Sequence, residues 1–159
     1  MTFVEMILHK MPQLSKPRSS FLVALFGALS CFVGRATMVN LSRFGAGSPR
    51  RLHRWFERPF DWPALNWTAL EQAGVTDHLL AACLDCTFLP KSGAQTWGLA
   101  SFHNGATGRS EKGCEACVVG LLDLDEHTAY TLEAYQTPAG FDGGSSSAAA
   151  TLAAITARR

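Results

Sequence analysis

A chain of 159 residues that is 47% hydrophobic and 17% charged can bury a core, which excludes a disordered, highly charged tail. The formal net charge of +1 conceals an asymmetry: residues 1–60 carry nine Lys and Arg against two acids (+7), and residues 61–159 carry five against eleven (−6). A basic part joined to an acidic part points to a polyanion partner for the first and to different chemistry for the second.

Residues 1–14 show little periodicity and read as a ragged start. Ser15 or Ser19/Ser20 can cap a helix running to about Val33, apolar nearly all round and so central to a small bundle. Its run from Phe21 to Val33 follows Lys16 and Arg18 like a signal peptide. The run falls short of the ~20 apolar residues that span a bilayer, and Gly34-Arg35-Ala36 is a poor cleavage site. The expectation is a cytoplasmic protein with no membrane partner, whose five cysteines are free thiols. Arg35 to Phe44 reads as a second helix, broken by Gly45-Ala46-Gly47. Ser48-Pro49 then starts a third helix reaching about Arg58, where Pro59 ends it.

The third helix carries Leu52, Trp55 and Phe56 at i, i+3 and i+4 as an apolar stripe, with Arg50, Arg51, His53, Arg54 and Arg58 on its other faces. A helix, a breaker and a basic second helix form the pattern of a helix-turn-helix, whose second helix enters the major groove. The same pattern fits a solvated amphipathic helix equally well, and the local charge of +7 tips the balance toward DNA. Arg35 and Arg43 join Arg50, Arg51, His53, Arg54 and Arg58 as candidate DNA contacts. Pro59 to Pro63 is a turn with aromatic anchors, and Leu65 to Ala73 a short helix ended by Gly74.

The texture then changes. Leu79 to Leu89 is a nearly continuous apolar run with a single acid, Asp85. Residues 91–113 read as a long loop or irregular hairpin, and 114–137 as a hairpin turning at Asp125-Glu126-His127. Pro138 to Ser147 is a linker composition, and Ala148 to Ala157 a helical one. The organisation is a helical DNA-binding region over 1–62, a connector over 63–78 and a strand-rich region over 79–159.

Asp85 is the residue to explain, because a carboxylate inside a buried strand is costly unless paired, hydrogen-bonded or bound to a metal. Nuclease carboxylates on such strands hold divalent ions, yet an Asp satisfied by Thr87, Ser92 or a backbone amide is the commoner case. Cys83-x-x-Cys86 and Cys114-x-x-Cys117 resemble a four-cysteine zinc site. Against zinc, the gap is long, neither pair has a knuckle Gly or Pro, and on a strand positions i and i+3 face opposite ways. The glycine-rich stretch from Gly105 to Gly113 lacks the order of a phosphate loop; His103 and His127 have no nucleophile partner; Asp123, Asp125 and Glu126 are ordinary turn acids.

Several segments taken together resemble a known family. They are Asn40 to Phe44, Arg54 to Trp62, Leu84-Asp85-Cys86-Thr87-Phe88-Leu89-Pro90-Lys91-Ser92-Gly93, Trp97-Gly98-Leu99, Phe102 to Gly105, Arg109-Ser110-Glu111-Lys112-Gly113, Ala129-Tyr130 and Gln136-Thr137-Pro138. Over about residues 20–143 the chain is similar to the insertion-sequence transposases with a DDE catalytic domain, in the broad group numbered four. The resemblance implies an α+β chain: an N-terminal helical, helix-turn-helix-like bundle, then the first three strands and part of the first helix of a truncated ribonuclease H-like domain. It implies binding to double-stranded DNA at terminal inverted repeats, a homodimer as a candidate assembly, and two Mg²⁺ ions held by two Asp and one Glu. Asp85 matches the first of those acids as catalytic residue and metal ligand; the other two have no counterpart, and Asp123 and Asp142 do not match their positions. The expected product is therefore a truncated transposase without strand transfer. A helix-turn-helix protein without catalysis and a four-cysteine zinc protein stand as alternatives.

Overall fold

The computed structural model describes residues 2–137, which divide into two compact units between Gln72 and Ala73. The linker and helix read over 138–157 lie outside the described residues.

The first unit is a bundle of five helices: α1 (Phe3–His9), α2 (Lys16–Cys31), α3 (Met38–Arg43), α4 (Pro49–Phe56) and α5 (Trp62–Gln72). The ragged start gives way to α1, which a capping box nucleates. The Glu5 amide donates to Thr2 Oγ1 at 3.3 Å, and the Thr2 amide donates to Glu5 Oε2 at 2.6 Å. Seven residues are too few to display a period, so this cap was the signal to read. Phe21, Leu22, Leu25 and Ala28 carry α2 into the core.

Helix α3 starts later than Arg35 because Thr37 caps it and because the Asn40 side-chain Nδ2 donates to Val33 O (2.8 Å) and Arg35 O (3.0 Å), holding that segment in a loop. Gly45 and Gly47, at φ of 91° and 96°, turn the chain where L side chains are disfavoured. Ser48 then caps α4 through the Arg51 amide, with Pro49 in the first turn. Helix α5 begins at Trp62, ahead of the expected Leu65, because Asp61 Oδ1 accepts from the Ala64 amide at 2.8 Å. Ala64 and Leu65 join Ile7, Leu25, Leu41 and Leu52 in one core, so residues 63–72 of the segment read as a connector are helix. Each such buried leucine stabilises the bundle by about 1.5–3 kcal/mol.

The second unit opens with a 3-10 turn, Val75–Asp77, and continues as four antiparallel strands: β1 (Leu80–Pro90), β2 (Ala100–Asn104), β3 (Arg109–Asp123) and β4 (Thr128–Gln136). The count is four where three were expected, since the 91–113 segment folds as an irregular hairpin that contains β2 and the start of β3. Strand β3 is the hub. β1 pairs along it from Leu80↔Asp123 to Pro90↔Gly113, β4 covers Ala116–Asp123, and β2 covers Arg109–Gly113. Gln136 Nε2 donates to Trp97 O at 2.6 Å, tying the end of β4 to the approach to β2.

A bulge at Val119/Gly120 bends β4 against β3 and leaves Leu132 as the extra residue, fully buried. Gly113 is required by close approach: a Cβ there would lie 2.5 Å from the Phe88 ring and 2.6 Å from Leu89 O. Cys117, Val119, Leu121 and Asp123 alternate along β3 and are buried, whereas Leu122 on the other face is exposed. Among the described residues no helix is long and apolar enough to cross a membrane.

Candidate nucleic-acid interface and carboxylate positions

The basic surface of the helical unit follows from how α4 is anchored. Leu52 is fully buried, and the half-buried Trp55 stacks on Phe21 at 5.2 Å with 12° between the rings. With that side fixed, Arg50, Arg51, His53 and Arg54 are exposed on α4, and Arg58 is exposed just beyond it. Arg43 is exposed in the last turn of α3, and Arg35 in the loop before that helix. All seven proposed contacts therefore belong to one unit, with α3 and α4 joined by the five residues 44–48.

Phe56, read as part of the apolar stripe, is 45% exposed and meets Phe21 only edge-on. Arg58 holds its guanidinium over the Trp55 ring at 4.7 Å. Sequence reasoning passed over Arg18, which clamps the turn after α4. It donates to Arg58 O (3.2 Å) and Pro59 O (2.7 Å) and lies over the Phe60 ring at 4.8 Å. The signal lay in Phe60 and Trp62, aromatic anchors whose rings meet edge-on at 4.6 Å.

Asp85 departs from expectation: it is exposed, not buried. It sits opposite Val118 on β1, a strand paired along β3 alone, and most of β1 beyond Leu80 stays open to solvent. Among the described residues its carboxylate has no hydrogen bond or ion pair, so neither Thr87 nor Ser92 satisfies it. Asp123 lies five register positions away, roughly 17 Å at strand rise, and faces the other side of the sheet. Two clusters of His, Cys, Asp or Glu among the described residues could hold an ion, and Asp85 is in neither. A two-metal centre needs several carboxylates. No second carboxylate joins Asp85 among the described residues, so its surroundings do not fit such a centre.

The cysteines also differ from the expected five thiols. Cys86 and Cys117 face each other across β1 and β3 with Cα atoms 4.1 Å apart and are joined as a disulfide; Cys31, Cys83 and Cys114 are free. Cys83 and Cys114 occupy the opposite face of the sheet from Cys86 and Cys117, as strand alternation demands. The four-cysteine zinc alternative is thereby removed.

One acid read as an ordinary turn residue proves to be buried. Asp123 is 1% exposed; its Oδ2 lies 2.7 Å from His78 Nδ1 and its Oδ1 accepts from the Asp125 and Glu126 amides. The hydrogen bond to His78 holds the Asp123 carboxyl below its ordinary range, helped by those amides, and the same bond raises His78. Asp125 Oδ2 accepts from the Leu79 amide at 2.8 Å, so the β3–β4 tip is fastened to the start of β1. The Asp-x-Asp-Glu order before a turn was the available signal; His78, 45 residues earlier, had none. In the 105–113 segment, Asn104 O accepts from the Thr107 and Gly108 amides, and no helix follows. Glu111 is held below its usual range by bonds from Thr107 and Asn104, while Arg109 and Lys112 are exposed.

Comparison with curated proteins and with solved structures yields no match. The family model of the DDE superfamily endonucleases matches residues 11–138, four fifths of the chain, running through both units. The chain belongs to the DDE superfamily endonuclease family.

Proposed function

We propose that this chain is an insertion-sequence transposase of the DDE type, in the group numbered four, whose helical unit binds the terminal inverted repeats of its element. Membership of the family carries DNA as substrate and a general dependence on a divalent cation. The observation that carries the DNA-binding part is the anchoring of α4: a buried Leu52 and a stacked Trp55 leave four basic side chains of one helix in solvent. The helix, five-residue turn and helix from Met38 to Phe56 support a helix-turn-helix reading, with α4 lying along the groove and Arg50, Arg51 and Arg54, together with Arg35, Arg43 and Arg58, meeting the phosphates that flank it. The antiparallel β1–β3–β4 arrangement supports a ribonuclease H-like reading of the second unit. Asp85 then stands where the family has the first of the three acids that hold Mg²⁺, a position that cannot by itself assemble the centre.

One observation favours DNA binding as the activity these residues carry unaided: no second acid joins Asp85 among residues 2–137. Binding to inverted-repeat duplex is tested against salt concentration. Replacing Arg50, Arg51 and Arg54 with alanine is expected to reduce the log K against log salt slope by roughly 2–3, at about 0.9 per phosphate contact. An unchanged slope rejects α4 as the DNA-contacting helix. A Mg²⁺-dependent nicking assay on the same duplex, with Asp85→Ala as control, is expected to show no Asp85-dependent product. Cleavage that vanishes with Asp85→Ala shows that this chain assembles a working centre.

A further inference from the structure

We propose that Cys86, Cys117 and Glu115 form a redox-gated site for a thiophilic divalent cation such as Zn²⁺, closed by their disulfide and opened by its reduction. Three features place the ligands together. Cys86 and Cys117 are register partners with a Cα separation of 4.1 Å. Glu115 stands two residues before Cys117 on β3, hence on the same face. The two sulfurs and a Glu115 oxygen lie within 4.8 Å of one another.

The carboxylate is held in place. The Thr137 hydroxyl donates to Glu115 Oε1 at 2.8 Å, the Thr137 amide donates to Glu115 O at 2.9 Å, and Thr137 Oγ1 lies 3.7 Å from Cys117 Sγ. Cys117 and Thr137 are buried, Glu115 is half-buried and Cys86 is exposed, so the site has a dry back and an open front.

The gate is thiol–disulfide exchange with a dithiol reductant. Its thiolate attacks the exposed Cys86 sulfur, the Cys86–Cys117 bond breaks, and Cys117 leaves as a thiolate. The second thiol of the reductant then closes its own disulfide and releases Cys86. Two electrons pass to the protein, and the reductant is oxidised. Two thiolates and one carboxylate then face a divalent ion, a donor set suited to zinc at about 2.3 Å per sulfur. Tetrahedral coordination needs the sulfurs roughly 3.8 Å apart, which side-chain rotation on facing strands supplies, and leaves a fourth position for water. Asp85 lies on the other face of the sheet, so this soft site is separate from the hard-ion role proposed for that residue.

The test uses the full chain and Co²⁺ as a spectroscopic probe, with an Ellman thiol count to fix the redox state. Reduced with a phosphine, the protein is expected to show five thiols and a thiolate-to-cobalt charge-transfer band saturating at one equivalent, bleached by Zn²⁺. Oxidised protein, with three thiols, is expected to show none. Cys86→Ser removes the band, and the Cys83→Ser/Cys114→Ser double variant keeps it. Glu115→Gln, which leaves both sulfurs intact, weakens binding at least tenfold. Should Cys117→Ser fail to fold, Cys86→Ser and Glu115→Gln decide the matter at solvent-accessible positions. The proposal is overturned by reduced protein without the band, by a full-strength band in Cys86→Ser, or by Glu115→Gln binding cobalt like the parent.

Discussion

Leu52→Ala tests whether the basic face of α4 depends on one buried contact. Leu52 has no exposed surface and is the single buried residue of that helix. Truncation removes three carbons, about 2.4 kcal/mol of transfer free energy at ~0.8 per methylene, and leaves a cavity that raises the cost to roughly 3–4 kcal/mol. A unit of about 70 residues has a stability of roughly 3.5–10 kcal/mol, so this one change removes a third or more of it. At about 4–8 °C per kcal/mol, the helical unit should melt at least 12 °C lower. Thermal melts followed by far-UV circular dichroism and by tryptophan emission suit the purpose, because Trp55, Trp62 and Trp67 report on the bundle and Trp97 on the sheet. Phe56→Ala is the control: its side chain is 45% exposed and its loss should cost under about 1 kcal/mol. DNA affinity near the lowered melting temperature should fall for Leu52→Ala and hold for Phe56→Ala. If the two variants melt together, Leu52 does not anchor α4.

The latch between His78 and Asp123 predicts a bell in sheet stability. The raised His78 contributes fully below its ordinary value of 6.5, and that contribution is lost as pH rises through the folded-state value above it; the lowered Asp123 contributes above 3.8 and loses its share as pH falls through a value below that. Urea midpoints of His78→Gln should therefore lose the decline on the alkaline side, while retention of that decline would assign it elsewhere. Gly113→Ala should destabilise the sheet by about 1–3 kcal/mol, because the added Cβ meets Leu89 O as well as the Phe88 ring; Gly105→Ala, with nothing within 4 Å, should be near neutral by the same denaturation measurement. Asp85→Ala should leave the melting curve of the sheet within about 0.5 kcal/mol of the parent, since its carboxylate is exposed and without a bonding partner among the described residues; a larger loss would make it a structural residue.

The parts of the fold legible in the sequence were those with a local chemical marker. Ser48-Pro49 opened α4 where expected, and Gly45 and Gly47 adopted the left-handed backbone their position required. The apolar runs beginning at Leu79 and Cys114 became β1 and most of β3. Misreadings arose where the deciding interaction was distant or too short to have a period. Asn40 reaching back to Val33 delayed α3, a capping box made α1, and Asp61 advanced α5 to Trp62. Asp85 and Asp123 exchanged their expected environments for one reason. An apolar run predicts burial only if both faces of the strand are covered, and β1 is largely open while the end of β3 is closed by His78. Cytosolic thiol chemistry argued for five free cysteines, but composition cannot reveal that Cys86 and Cys117 are register partners.

The central position of β3 has a consequence for assembly during synthesis. Its pairings with β4 and β2 close over the four-residue turns 124–127 and 105–108, whereas its pairing with β1 joins residues 23 to 43 positions apart. Loop closure grows costlier with the length of chain enclosed, and non-local pairings form slowly. The two short hairpins are expected to nucleate first, leaving one flank of β3 unfilled until β1 docks. A nascent chain paused at that stage presents an unpaired row of amides and carbonyls beside Val119 and Leu121, a template for a strand from another ribosome product. Slow docking of the Asp85 strand is thus a step at which this protein is exposed to aggregation, beside the open edge that β1 itself presents in the finished sheet.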